Sequence, residues 1–246
     1  MGTDDLAKKR ISANKERRTA LKELRKARSV GNRTIFPNIL ILTEGFSENI
    51  YFDELIKVLG LDTVFSRKSV STSSKGILHE AEHEDLKNKD TEKEWTYIFC
   101  VFDLDTVKDR SHLELLSRIN INFTKIIPIY TFPCIEIWFL LHFECNTRPF
   151  QSKGKKSIGN IVKSHFKNTY SPEYLETNED VIRPLAHAHD NAIYNSIRLY
   201  SQQVEVKSNN PISNIHALVT LLKNMSDRTQ EYDYNYEYQS FIEDNL

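Results

Sequence analysis

The chain is poor in cysteine. Only Cys100, Cys134 and Cys145 occur in 246 residues, an odd number at wide spacing. Cys100 and Cys134 stand inside apolar runs, where a thiol behaves as a small buried hydrophobe. This usage argues against a thiolate zinc site and points to a reducing cytoplasm. Long apolar runs are missing too: none reaches the roughly 18 to 20 residues needed to cross a bilayer. Charges begin at Asp4 with no apolar stretch after them, so no secretory signal is expected. No Walker sequence occurs, which excludes a P-loop NTPase in this chain. Internal repeats and low-complexity linkers are absent, as are a base-reading helix and an aromatic stacking motif.

A surplus of charge is also lacking, with a formal net charge of -1, but its distribution is uneven. "AKKRISANKERRTALKELRKAR" is strongly basic, a second basic run "SKGKKSIGNIVKSHFK" occupies 152–167, and the tail "SDRTQEYDYNYEYQSFIEDNL" is acidic and rich in tyrosine. Local patches of this kind are where phosphates would be met. The tail suits docking to a basic partner surface.

What is present is an alternation of buried strands and amphipathic helices. Residues 5 to about 30 read as a basic helix with sparse apolar positions. "FPNILILT" reads as a buried strand, "SENIYFDELIKVLG" as a helix closed by Gly60, "TVFSRKSVS" as a strand and "GILHEAEHEDLKN" as a helix. "WTYIFCVFD" is the most apolar strand, "RSHLELLSRIN" a helix, and "TKIIPIYTF" a strand that Pro128 moves toward an edge or bulge. This order predicts a mostly parallel four-stranded sheet flanked by helices. After Pro133 the strands are expected to stop: "CIEIWFLLHF" reads as an apolar helix, followed by helices near 157–167, 179–203 and 213–224. The expected division is a basic extension over 1–35, an α/β domain over 36–150 and a helical region over 151–246, with the last two packed together.

In parallel α/β sheets ligands bind beyond the carboxyl ends of the strands. Two strands carry acids there: Glu44 after "ILILT", and Asp103 and Asp105 after "IFCVF". In extended geometry Asp103 and Asp105 point the same way. Were the first and third strands neighbours, three carboxylates would converge and repel unless a cation lay between them. Oxygen-only ligands select a hard ion, Mg²⁺ or Mn²⁺. Glu48 is either a further ligand or a helix-start charge favoured by the macrodipole. Glu136, in an otherwise apolar helix, needs a partner, a metal or a basic side chain. His142 in "LLHF" reads as a hydrogen-bonded core histidine rather than a general acid.

A strand ending in Glu-Gly, then a helix, then an apolar strand ending in Asp-x-Asp resembles the Toprim domain of topoisomerases, bacterial primases and overcoming-lysogenization-defect nucleases. "LTEGFSENIYFDEL" looks like the opening motif of the RloB-like branch, and "FPCIEIWFLLHFE" like its second signature. Phe132 stands where that signature has asparagine, and Ile135 where it has an aromatic. The resemblance covers residues 36 to 150 and, more loosely, the helical region. It implies a Toprim-like fold and a catalytic set of Glu44, Asp103, Asp105, Glu48 and Glu136, the first three binding Mg²⁺ or Mn²⁺. The reaction implied is metal-assisted hydrolysis of phosphodiester bonds in RNA, tRNA included, or DNA. Lys153, Lys155 and Lys156 are the candidate nucleic-acid contacts, their alternative being an exposed basic loop. The resemblance further implies an effector of phage defence or restriction acting with a partner ATPase. A homo-oligomer is compatible with the sequence.

The competing class is a non-catalytic binding module on a Toprim-like core. A phosphatase of the haloacid-dehalogenase type ranks lower: its Asp-x-Asp-x-Thr opening fits Asp103 and Asp105, but the threonine falls one residue early, at Thr106. A sugar-nucleotide transferase lacks every other feature. His187 and His189 in "HAHD" would point apart on a helix, so they read as helix-start or surface residues.

Overall fold

The computed structural model describes residues 37–89, 91, 94–104, 125–208 and 210–227. The expected basic helix over 5–30, the "RSHLELLSRIN" helix, the acidic tail from 228 onward and Asp105 lie outside them.

Strand β1 (Ile39–Thr43) is buried at every position. It lies between β2 (Val64–Lys68) and β3 (Tyr97–Asp103), parallel to both. β3 pairs in turn with β4 (Ile126–Phe132), again in parallel. The unbroken apolar texture of β1 and β3 has a plain cause: both faces of the sheet are covered. Side chains alternate between the faces. Ile39, Ile41, Phe99, Val101, Ile127 and Ile129 enter one hydrophobic cluster, while Leu40, Leu42, Ile98, Cys100, Phe102 and Ile126 enter the other.

Helix α1 (Phe46–Leu59) covers the first face and ends at Gly60, whose φ of 63° places it in the left-handed region that glycine tolerates. Helix α2 (Ser74–Asn88) covers the second face and is capped by Ser73, whose hydroxyl accepts from the Gly76 amide at 3.3 Å. The short α3 (Glu136–Leu141) follows β4, and its six residues are all buried. Beyond it come α4 (Ile158–Thr169), α5 (Glu179–His187), α6 (His189–Glu205) and α7 (Ile215–Ser226). The first cluster joins strand residues to Phe166, Ile182, Leu199 and Leu218, so the helical region shares the core of the α/β part. Fully buried Tyr51, Phe52 and Trp138 lie in this shared core. Each such side chain is worth roughly 1.5 to 3 kcal/mol of burial.

Three expectations need correction. The strands do not stop at Pro133, because β5 (Ile212–Ser213) adds an antiparallel fifth strand among the described residues, in the order β2-β1-β3-β4-β5. Two residues are too few to carry a periodic signal. β4 is therefore not an edge strand, yet β5 reaches only Thr131 and Phe132. Pro128 thus has a strand neighbour on one side alone, opposite Cys100, which is the local edge a proline tolerates. Asn214 patches the gap, its side chain accepting from the Tyr130 amide at 2.7 Å. The single helix expected over 179–203 is two, broken at Ala188, where φ is -112° and ψ is 28°.

Candidate active site

The carboxyl ends of β1 and β3 are neighbours, and β1 register carries straight into the loop: the Glu44 amide donates to the Val101 carbonyl at 3.0 Å. This lays the Glu44 side chain across the end of β3, where its Oε2 accepts from the Asp103 amide at 3.2 Å. Asp103 faces Thr131 of β4 in register, and the Thr131 hydroxyl donates to Asp103 Oδ1 at 2.7 Å. Each acid at a strand tip is held by the next strand.

Two more carboxylates join from helix starts. Glu48 lies in the first turn of α1 and is buried. Gly45, just before the helix, is extended with a φ of -110°, so it is not there for its backbone freedom. Its use is space: a Cβ at this position would overlap the Glu48 carboxylate. Glu136 opens α3 and is fully buried. The Tyr174 hydroxyl donates to its Oε1 at 2.6 Å, while Oε2 is buried without a hydrogen-bond partner.

The four acids sense one another. Burial, with the charges of Glu136 and Glu44 added, pushes the Glu48 carboxyl up to about 8 against the pull of its own backbone amide. Asp103 is raised well above the carboxylate range by burial, then by Glu48 and Glu136; the Thr131 hydrogen bond and the Glu44 charge are smaller influences of opposite sign. Cys134 belongs to the same neighbourhood, its thiol raised by burial and by Glu136 and Asp103. The cation felt here is Lys163 of α4, whose charge lowers Glu48. Burial alone would lower the Lys163 ammonium, but Glu136 and its ion pair with Glu176 outweigh it and raise it.

The donor set is all oxygen, two of its members are driven toward protonation by burial first and by neighbouring charge second, and one buried oxygen is unsatisfied. The chemistry of that donor set suits a hard divalent cation, which would relieve all three penalties. Among the described residues, no group of three or more His, Cys, Asp or Glu side chains is arranged to hold a metal ion. The third ligand expected from the sequence, Asp105, lies outside the described residues.

The structure thus brings Glu44, Glu48, Asp103 and Glu136 together. The open choice at Glu136 narrows: its hydrogen-bonded partner is a tyrosine, with Lys163 near enough to act through its charge. His142 is a core residue. Its Nδ1 donates to the Trp138 carbonyl at 3.0 Å, which leaves Nε2 to accept from the Tyr51 hydroxyl at 3.4 Å. Burial holds it down to about 4. His189 likewise bonds the Ala186 carbonyl, and His187 reaches Glu54 on α1.

Lys153 and Lys156 pair across a tight turn through Gly154, whose φ is 63°, and Lys155 is exposed between them. Of these lysines Lys156 lines a cleft of ≈ 550 Å³ together with Lys163, Lys167 and Tyr174. Sequence reasoning missed Lys163, Tyr174 and Thr131. The signal for Lys163 was present: Asn160, Lys163 and Lys167 fall on one helical face within the second basic run. Tyr174 sits in a loop and gives none.

A family model described as RloB-like protein matches residues 39–222, which span every element of this site. Neither the curated proteins nor the solved structures give a match.

Proposed function

This chain belongs to the RloB-like family, and we propose that it is a Mg²⁺- or Mn²⁺-dependent nuclease that hydrolyses phosphodiester bonds in RNA or DNA. The observation that carries the reading is the cluster of four carboxylates where strands end and helices begin, Glu48 and Glu136 buried and Glu44 and Asp103 half-buried, with Glu48 and Asp103 raised by burial first and by neighbouring charge second. Stability alone does not favour such a cluster, because like charges in an apolar setting oppose folding. The resemblance of the motifs to Toprim nucleases supports the same reading, and it alone supports a partner ATPase and a role in phage defence.

In this proposal Glu44, Asp103 and Asp105 hold the cation. When bound, such an ion supplies charge neutralisation at the phosphoryl oxygens and a nucleophilic water at neutral pH. The chain's own residues do the rest. The Asp103 amide fixes Glu44, and the Thr131 hydroxyl fixes Asp103, so both carboxylates are oriented before substrate arrives. Tyr174 fixes Glu136. In the metal-free pocket Glu48 is raised to about 8, by burial first; a cation bound among these acids would favour its ionised form and so add a further oxygen ligand.

The test is calorimetric binding of Mn²⁺ and Mg²⁺ to wild type and to an Asp103→Ala, Asp105→Ala variant, with cleavage of labelled RNA and DNA followed on the same samples. Wild type should bind and cleave, and the variant should lose binding and at least roughly a thousandfold of the rate. Absence of metal binding by wild type would leave the non-catalytic binding module as the reading.

A further inference from the structure

The cleft beside α4 is separate from the carboxylates yet joined to them. Lys156, Lys163 and Lys167 line it with Asn160 and Ser164, and Glu176 is the acid on its wall. Lys163 is paired with Glu176 across the cleft. Tyr174 stands in two places at once: it lines the cleft, and its hydroxyl holds Glu136. Leu175, 60% exposed, supplies an apolar wall next to it.

We propose that this cleft binds a backbone phosphate of the polynucleotide, flanking the bond that is cut, through Lys156, Lys163 and Lys167, with Glu176 as the anion that the phosphate displaces from Lys163. The inference rests on the nuclease reading and adds to it where the chain runs. Three ammonium groups against one carboxylate leave the wall positive, and ammonium groups are point charges that can donate to phosphate oxygens from many directions. At ≈ 550 Å³ the cleft exceeds a lone phosphate and takes a nucleotide-sized unit, sugar included. Exposed Leu175 offers that unit an apolar surface. A phosphate held here is one residue away from the carboxylates, because the Tyr174 side chain is the wall between them. Lys163 then serves both sides, since its charge acts on Glu136 and Glu48 as well as on the cleft.

The experiment measures binding of fluorescein-labelled single-stranded RNA and DNA oligonucleotides to the full chain by anisotropy, in EDTA, across a salt series. Lys156 and Lys167 are replaced together by alanine; Lys57→Ala with Lys87→Ala, two surface lysines elsewhere, gives the same change in net charge. The cleft variant should bind roughly tenfold or more weakly, and the slope of log affinity against log salt should shrink by about 0.7, the share of one phosphate contact on a single strand. The control pair should keep the wild-type slope, and Glu176→Gln should bind a few-fold tighter. A cleft variant that matches wild type or the control overturns the proposal, as does a wild type that binds neither oligonucleotide, which would favour an acidic peptide as occupant. A Glu176→Gln protein that binds no tighter overturns the displacement.

Cleavage in Mn²⁺ on the same samples separates the two readings. Cleavage by wild type with no loss of affinity in the cleft variant sinks the cleft and spares the nuclease. Lysine-dependent binding without any cleavage does the reverse.

Discussion

Helix α1 carries two glutamates that meet opposite environments. Glu54, in its middle, faces α5, where Arg183 donates to Oε2 at 2.6 Å and His187 approaches Oε1 at 3.1 Å. Arg183 first, then His187, holds its carboxyl below the usual range. Glu48, in the first turn, is pushed up to about 8 by burial first and then by the acids it faces. One residue type on one helix thus behaves as a permanent anion at one end of a turn-and-a-half and as a weak acid at the other. The difference teaches where to look for chemistry: acids such as Glu80 with Arg67 and Glu94 with Lys125 are paired with cations, whereas Glu48 is buried among other carboxylates.

The two glutamates should also give opposite pH slopes, which makes the comparison breakable. Glu48 binds its proton more tightly folded than unfolded, so its contribution is fully present below the unfolded value near 4.5 and is lost as pH rises through about 8. Glu54 has a lowered value, so its contribution is present at neutral pH and is lost as pH falls through the acidic range. Replacing Glu48→Gln should therefore stabilise the metal-free protein by about 3 kcal/mol above pH 8 and flatten the alkaline fall of Tm, while slowing cleavage roughly a hundredfold. Mn²⁺ added to wild type should restore Tm more at pH 8.5 than at pH 6; an equal effect at both would detach the cation from this cluster.

Next in size is Tyr174→Phe. It strips the donor from Glu136 and leaves both buried oxygens unpaired, so urea denaturation should show a loss of about 2 kcal/mol. A neutral outcome would mean that water reaches Glu136. Gly45→Ala should change stability by less, within about 1 kcal/mol, because restricting the unfolded chain offsets part of the overlap with Glu48. Its diagnostic is the titration: a Glu48 carboxylate pushed out of its buried seat loses desolvation, and the alkaline fall of Tm moves to lower pH. The smallest effect belongs to Glu54→Gln, a Tm drop of about 1–3 °C at pH 7 that disappears in acid.

Much of this arrangement was legible before any coordinates. Apolar runs at 39–43 and 97–103 announced doubly covered strands, and the acids that stop them, Glu44 and Asp103, sit where parallel sheets present ligands. Glu136 stood out as an acid inside an apolar helix. Other parts had no local signature. Thr131 becomes a partner of Asp103 only through the register of β3 and β4. β5 is two residues long, below any period. The break at Ala188 lies within a run that reads as continuous helix, because propensity does not encode where tertiary packing turns a chain.

By itself the sequence determined which residues are buried strands, which helices follow them and which acids end them, because alternation, caps and apolar runs are short-range properties. The family, too, follows from the sequence, by the match over residues 39–222. Only the tertiary structure decided what each charge faces. It gave Glu54 an arginine and Glu48 three acids, and it set Tyr174 between Glu136 and the lysine cleft. The physical reason is that a side chain's burial and its neighbours' charges come from segments distant in the chain, so a glutamate's acidity cannot be read from the residues beside it.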